Sequence, residues 1–292
     1  MAGMPGTGPI VVGVDGRGGG DDALALALAL AAPGAPIVVV TATDGPGDLG
    51  GDEAPWRLRL RLRAEETLDR ARERAGDRAA SYEVAHAGSP ASALHGVAER
   101  VGASLLVVGA DHHGPIGRIA AGSVTEQVLH ASPCAVAVAP AGLADDGRRV
   151  ATIGVGYDDG PESRAALATA VDLADRLGAR LRLIDVLPTE AFWLSGYAGP
   201  LVLPEMRADA RRALGDAAQE IDPSIPVETM VLEGDPAALL ARAAERLDLL
   251  VVGSRGFGPL RRVLLGSVSA RLVRDLDRPL VVVPRTARTA AS

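Results

Sequence analysis

Short apolar runs alternate with longer amphipathic stretches along the chain. In the second half, Thr152–Tyr157, Arg180–Val186, Val227–Val231, Leu249–Val252 and Leu280–Val283 read as strands. Between them, Pro161–Leu177, Pro204–Glu220 and Pro236–Arg246 read as helices, and another opens near Ser267. Pro161 suits a first helical position, and Gly178 suits a left-handed cap just past the end. In the first half, strands fall near 10–14, 37–41, 82–86, 105–108 and 136–139. The first helix there contains ALALALALALAA, which alternates like a strand. Alanine and leucine are both strong helix formers, so the comparison with the second half decides for helix. Alternating strand and helix with continuous Val/Leu/Ile strands predicts parallel sheets covered on both faces.

The two halves repeat each other. At an offset of 144, Leu105–Pro140 matches 249–284 without a gap, with 13 identities in 36 positions. LLVVG at Leu105–Gly109 falls on Leu249–Gly253, and GSV at Gly122–Val124 falls on Gly266–Val268. At an offset of 143, Val12–Asp15 falls on Val155–Asp158. A period this long means two whole domains, 1–145 and 146–292, with Ala141–Arg149 as a polar linker.

Composition narrows the chemistry. The chain has 292 residues, a formal net charge of −7 and only 2% aromatics. That balance disfavours a general nucleic-acid binder. All 30 basic residues are arginine, so a Walker A lysine and a Schiff-base lysine are excluded. The single Cys134 precedes a strand and reads as an apolar filler. All five histidines lie in the first half, and adjacent His112 and His113 do not converge readily on one metal. No signal-like or membrane-length segment is present, which suggests a cytoplasmic protein without membrane contact.

Open parallel sheets bind ligands beyond the carboxyl ends of their strands. Two segments of the second half fall there. One is Gly156-Tyr157-Asp158. The other is Gly253-Ser254-Arg255-Gly256, then nine residues, then Gly266-Ser267-Val268-Ser269 opening a helix. Glycines admit a close backbone approach, and free N–H groups at a helix start favour an anion. Ser267 and Ser269 add hydroxyls, and Arg255, Arg261 and Arg262 add positive charge. Asp158 suits a ribose or base better than a phosphate. Simpler roles compete: a tight turn for Gly253 and Gly256, and helix capping for Ser267 or Asp158. The run Gly45–Gly50 matches GxGxxG but leads into acids rather than directly into a helix, so it reads as a mobile loop. Its counterpart, Pro188–Pro204, gathers Phe192, Trp193 and Tyr197 and suits a lid or a partner surface.

The spacing Gly, two residues, Gly, nine residues, Gly-Ser resembles the ATP-binding signature of the universal stress protein family. The aspartate after the first strand and the ending Val281–Pro284 resemble that family too. The resemblance covers both halves, about 9–140 and 150–284. It implies two tandem Rossmann-like α/β domains, each a five-stranded parallel sheet in the order 3-2-1-4-5, and ATP with Mg2+. It places Gly156 and Asp158 near the adenosine, Val186 beside the adenine, and Gly253, Ser254, Arg255, Gly256, Gly266, Ser267, Val268 and Ser269 at the phosphates. The corresponding set in the first half is Gly13, Asp15, Gly109, Gly122, Ser123, Val124 and Thr125. There His112 replaces the second glycine and Asp111 stands opposite Arg255, which disfavours phosphate. The resemblance also implies pairing of the last strands, Ala135–Ala139 and Leu280–Val283, as a pseudo-dimer, with a homodimer and a protein partner as further expectations.

The expected function is a nucleotide-dependent regulatory module of the stress response. No nucleophile–base pair stands near the second cradle, so efficient catalysis is not expected. A slow ATPase or nucleotidyl-transfer enzyme and a nucleotide-free structural dimer stay open as alternatives.

Overall fold

In a computed structural model, residues 8–44, 55–78, 81–110, 123–130, 132–147, 149–188, 199–254 and 266–284 are described. The chain forms two compact units, one running to Gly147 and one beginning after it.

In the first unit, β1 (Ile10–Gly13), β2 (Ile37–Asp44), β3 (Ser81–Ala87), β4 (Leu105–Gly109) and β5 (Ala135–Ala139) are joined by helices. These are α1 (Gly18–Leu30), α2 (Pro55–Ala75), α3 (Pro90–Val101) and α4 (Ser123–Leu129). All pairings are parallel, in the order β3-β2-β1-β4-β5, with Ile10 opposite both Ile37 and Leu105. The alternating Ala-Leu stretch is helical. It buries Ala23, Leu24, Leu26, Ala27 and Leu30, packing on β4 and β1. The segment expected as a plain linker carries a short helix, α5 (Leu143–Asp146). The buried Asp22 of α1 accepts the N–H groups of Gly142 and Ala144, at 3.0 and 2.8 Å. Those bonds tie that segment to α1 and supply acceptors for backbone donors.

The second unit repeats the plan. Its strands are β6 (Thr152–Gly156), β7 (Arg180–Leu187), β8 (Val227–Glu233), β9 (Leu249–Gly253) and β10 (Leu280–Val283). Its helices are α6 (Pro161–Leu177), α7 (Gly199–Gln219), α8 (Pro236–Ala244) and α9 (Ser267–Asp275). The parallel order is β8-β7-β6-β9-β10, the same 3-2-1-4-5 arrangement. Central strands are buried on both faces: Ile153, Val155, Leu181, Leu183 and Leu249–Val251 expose nothing or nearly nothing. That explains why they read as continuous apolar runs. The outer strand β8 is largely exposed and carries Glu228 and Glu233, which suits a strand end of the sheet.

Several boundaries differ from the expectation by one to five residues, among them Val227–Glu233 for β8 and Ile37–Asp44 for β2, and two helices are instructive. Helix α7 begins at Gly199, so Pro204 lies inside it rather than opening it. A proline there lacks the N–H that would meet the carbonyl four residues earlier. Helix α8 ends at Ala244, two residues before Arg246. Among the described residues, no helix is long and apolar enough to cross a membrane.

Candidate nucleotide site

The first and fourth strands of the second unit, β6 and β9, lie side by side, and their carboxyl ends mark the switch in strand order. Gly156 closes β6 and Gly253 closes β9. A Cβ at Gly253 would stand 2.6 Å from the backbone oxygen of Glu162 and 2.7 Å from its carbonyl carbon. The start of α6 therefore lies against the strand end and leaves room only for glycine. Gly109 meets the backbone of Gly19 in α1 in the same way. A Cβ at Gly156 would be less obstructed, 3.2 Å from Val252 Cγ1.

The turn from β6 into α6 is closely braced. Asp158 is exposed, and its Oδ1 accepts the Gly160 N–H at 3.1 Å. The Asp158 N–H donates to Ser163 Oγ, which in turn donates to the Gly160 carbonyl at 3.0 Å. Gly160, not Asp158, is the N-cap of α6. Asp159 adopts φ +59°, a left-handed conformation that is unusual for a residue with a side chain. Its Oδ1 accepts three donors: Tyr157 Oη at 2.9 Å, Arg164 Nε at 3.0 Å and Arg164 Nη2 at 2.8 Å. Those bonds hold its carboxyl below the usual range. Burial, and then the Asp159 hydrogen bond and charge, push the Tyr157 hydroxyl up to about 12. In the first unit the same position is Gly16, at φ +73°. The strained position was visible in the repeat as a glycine replaced by aspartate, although Asp159 itself was not among the expected site residues.

Asp185, near the end of β7, was also missed. Burial pushes its carboxyl up to about 6, and the nearby Asp158 charge adds to the rise. A carboxyl raised in the folded state favours folding while protonated. That contribution is full below the unfolded value near 4 and fades as pH rises through about 6. Asp185→Asn is therefore expected to leave stability unchanged near pH 4 and to raise it at pH 7.5. The gain is about 1 kcal/mol after allowing for solvent screening of this half-buried group. Urea unfolding of the nucleotide-free protein at the two pH values measures it.

Gly266 stands just before α9, with extended backbone at φ −64° and ψ 159°. Gly266, not Ser267, is the N-cap, and among the described residues no side chain caps the helix. The N–H groups of the first turn, from Ser267 onward, thus lack the capping oxygen that Asp235 gives Ala237 in α8 and Ser89 gives Ser92 in α3. Ser267 is exposed and Val268 half-buried. Ser269 is buried and donates to the Gly266 carbonyl at 3.1 Å. Ser254 is 1% exposed, and its N–H donates to the Val283 carbonyl. Val186 is half-buried beside Asp185. Arg271 pairs with Asp235 at 2.7 Å and ties α9 to the start of α8. Arg255, Gly256, Arg261 and Arg262 lie outside the described residues, as do Phe192, Trp193, Tyr197 and Gly45–Gly50.

The first unit keeps the frame with different detail. Gly13 closes β1, and Asp15 Oδ1 accepts the Arg17 N–H at 3.0 Å. Arg70 Nη1 of α2 donates to the Gly16 carbonyl at 3.3 Å, and Thr67 also lies against Gly16. Helix α2 thus overlies this turn. Thr125 is buried and donates to the Gly109 carbonyl at 2.9 Å. Val124 is half-buried, and Ser123 opens α4. Asp111, His112, His113 and Gly122 lie outside the described residues. Cys134 is buried, and its thiol is pushed up to about 12 by that burial, in keeping with an unreactive filler.

These two sheets and their strand-end glycines belong to a recognisable class, the open Rossmann-like α/β domain used in tandem. The family model for the universal stress protein family matches residues 6–140 and again 150–284. The chain belongs to the universal stress protein family, as two copies of its domain. A universal stress protein of Mycolicibacterium smegmatis is 32% identical over 189 residues, 62% of each chain. One of Mycobacterium tuberculosis is 32% identical over 185 residues, 62% of this chain and 61% of the relative. The alignments thus span under two thirds of the length of these curated relatives. Among solved structures, a universal stress protein from Archaeoglobus fulgidus superposes with a TM-score of 0.68 at 21% identity. It covers 96% of this chain and 97% of its own, which shows a shared fold.

Proposed function

We propose that the second unit binds ATP with Mg2+ and acts as a nucleotide-dependent regulatory module in the cytoplasmic stress response. The observation that carries this reading is the start of α9. A glycine N-cap gives the first-turn N–H groups no capping side chain, and β9 of the same unit ends in a position that admits only glycine. Phosphates suit that electropositive end. Asp158 and Asp185 stand at the ends of β6 and β7, where carboxylates suit ribose hydroxyls or base amines rather than phosphates. Among the described residues no group of three or more His, Cys, Asp or Glu could hold a metal. Mg2+ would then enter on the nucleotide's own phosphates, keeping several waters. The departures at Asp111 and His112 make the first unit the weaker or silent site.

Calorimetric titration of the stripped, folded protein with Mg-ATP is expected to give one site per chain. Nucleotide released on denaturing fresh protein identifies the natural occupant. Two sites per chain would make the first unit a binder as well, and no heat with no released nucleotide would overturn the reading.

A further inference from the structure

The outer face of α2 carries a pattern that the nucleotide reading does not use. From Ala64 onward the helix buries one stripe, formed by Ala64, Leu68, Ala71 and Ala75. Before Ala64 the described residues, Leu58 to Arg63, are exposed on every side. The side chains from Leu58 to Arg63 thus face solvent. Three leucines are left in water there: Leu58 at 56%, Leu60 at 40% and Leu62 at 48% exposure. Together they leave apolar surface that association can remove from water.

The charges along the same helix change sign. Arg57 to Arg63 carries four arginines and no acid; Glu65, Glu66, Asp69 and Glu73 follow, with Arg70, Arg72 and Arg74 among them and Asp69 paired with Arg72. Leu58, Leu62, Glu66, Asp69 and Glu73 recur at intervals of three and four, so they share the face opposite the buried stripe. Such a helix complements itself when turned end for end. A two-fold axis near Leu62 brings the leucines of two copies together and sets Arg59 of one against Glu66 of the other, both ways at once. An anionic bilayer matches the arginines but opposes the rest of the chain, which is more acidic than the net −7.

We propose that two copies of this chain associate through the outer face of α2, antiparallel, with Leu58 and Leu62 at the centre and Arg59–Glu66 pairs on the flanks. The interface is independent of the nucleotide site.

Light scattering of the full chain after size exclusion tests it. The wild type is expected at an even multiple of 29.8 kDa. Leu58→Ser/Leu62→Ser should halve that mass with an unchanged circular dichroism spectrum, since both side chains are exposed. Arg59→Glu and Glu66→Arg should each weaken assembly alone and restore it when mixed. A monomeric wild type, or an assembly unchanged in the double leucine variant, overturns the proposal. So does a monomer that floats with phosphatidylglycerol vesicles but not with phosphatidylcholine vesicles, which would assign the patch to lipid.

Discussion

Gly266→Asp is expected to make the nucleotide-free protein more stable while abolishing nucleotide binding. The backbone at Gly266 is extended, φ −64° and ψ 159°, so any residue adopts it without strain. An aspartate there caps the exposed first-turn N–H groups of α9 and meets the positive end of its dipole. The combined gain is about 0.5–1 kcal/mol. On the proposed reading, the same carboxylate takes the place of a phosphate and repels one. Affinity for Mg-ATP should fall by about 100-fold or more, equivalent to ~2.7 kcal/mol. Thermal unfolding with and without Mg-ATP reads both effects. The wild type should gain stability with ligand, about 2.7 kcal/mol at 100 times Kd. The variant should start higher and gain almost nothing. Opposite signs separate lost recognition from damaged folding. A variant that still binds would remove the start of α9 from the site.

Gly253→Ala is expected to destabilise the second unit by about 2–3 kcal/mol, because the added methyl meets backbone rather than a movable side chain. Its Cβ would lie 2.6 Å from the Glu162 oxygen and 2.8 Å from the Glu162 Cβ. Relief requires α6 to lift from β9, which also shifts the turn that carries Asp158. Gly215→Ala, inside α7 with open space around it, is the control and should be neutral or stabilising. Urea midpoints for the two variants should move in opposite directions. An unchanged midpoint for Gly253→Ala would mean that α6 yields freely.

Much of the fold was legible because each central strand is buried on both faces and therefore unbroken in hydrophobicity. Pro161–Leu177 and Leu280–Val283 were found with the bounds the structure gives, helped by Pro161, Gly178 and a clean apolar run. Pro204 misled, because a proline near a helix start looks like its first residue even when the helix has already begun. At the candidate site, the glycine positions were legible as spacing, but their separate causes were not. Gly253 answers to a helix approaching from elsewhere in the chain. The repeat marks the Asp159 position by its glycine counterpart, but the bonds and charges at Asp159 and Asp185 were illegible, because they arise from Tyr157, Arg164 and Asp158 brought near by the turn and the neighbouring strand. The exposed leucines of α2 were hidden for a related reason: LRLRLR reads equally as helix or strand until its surroundings are known.

The close approach of the first helix to the fourth strand, seen at Gly253 and again at Gly109, also bears on how such chains diverge. A duplicated domain relieved of ligand binding loses the glycines that served the ligand, while the one that serves packing is retained. Degenerate copies will therefore keep the first part of the signature long after the rest has eroded. In surveys of tandem relatives, that first glycine reports only that the domain still folds. The later positions of the spacing, Gly256 and Gly266 in the second half and His112 and Gly122 in the first, are the ones that report on the ligand.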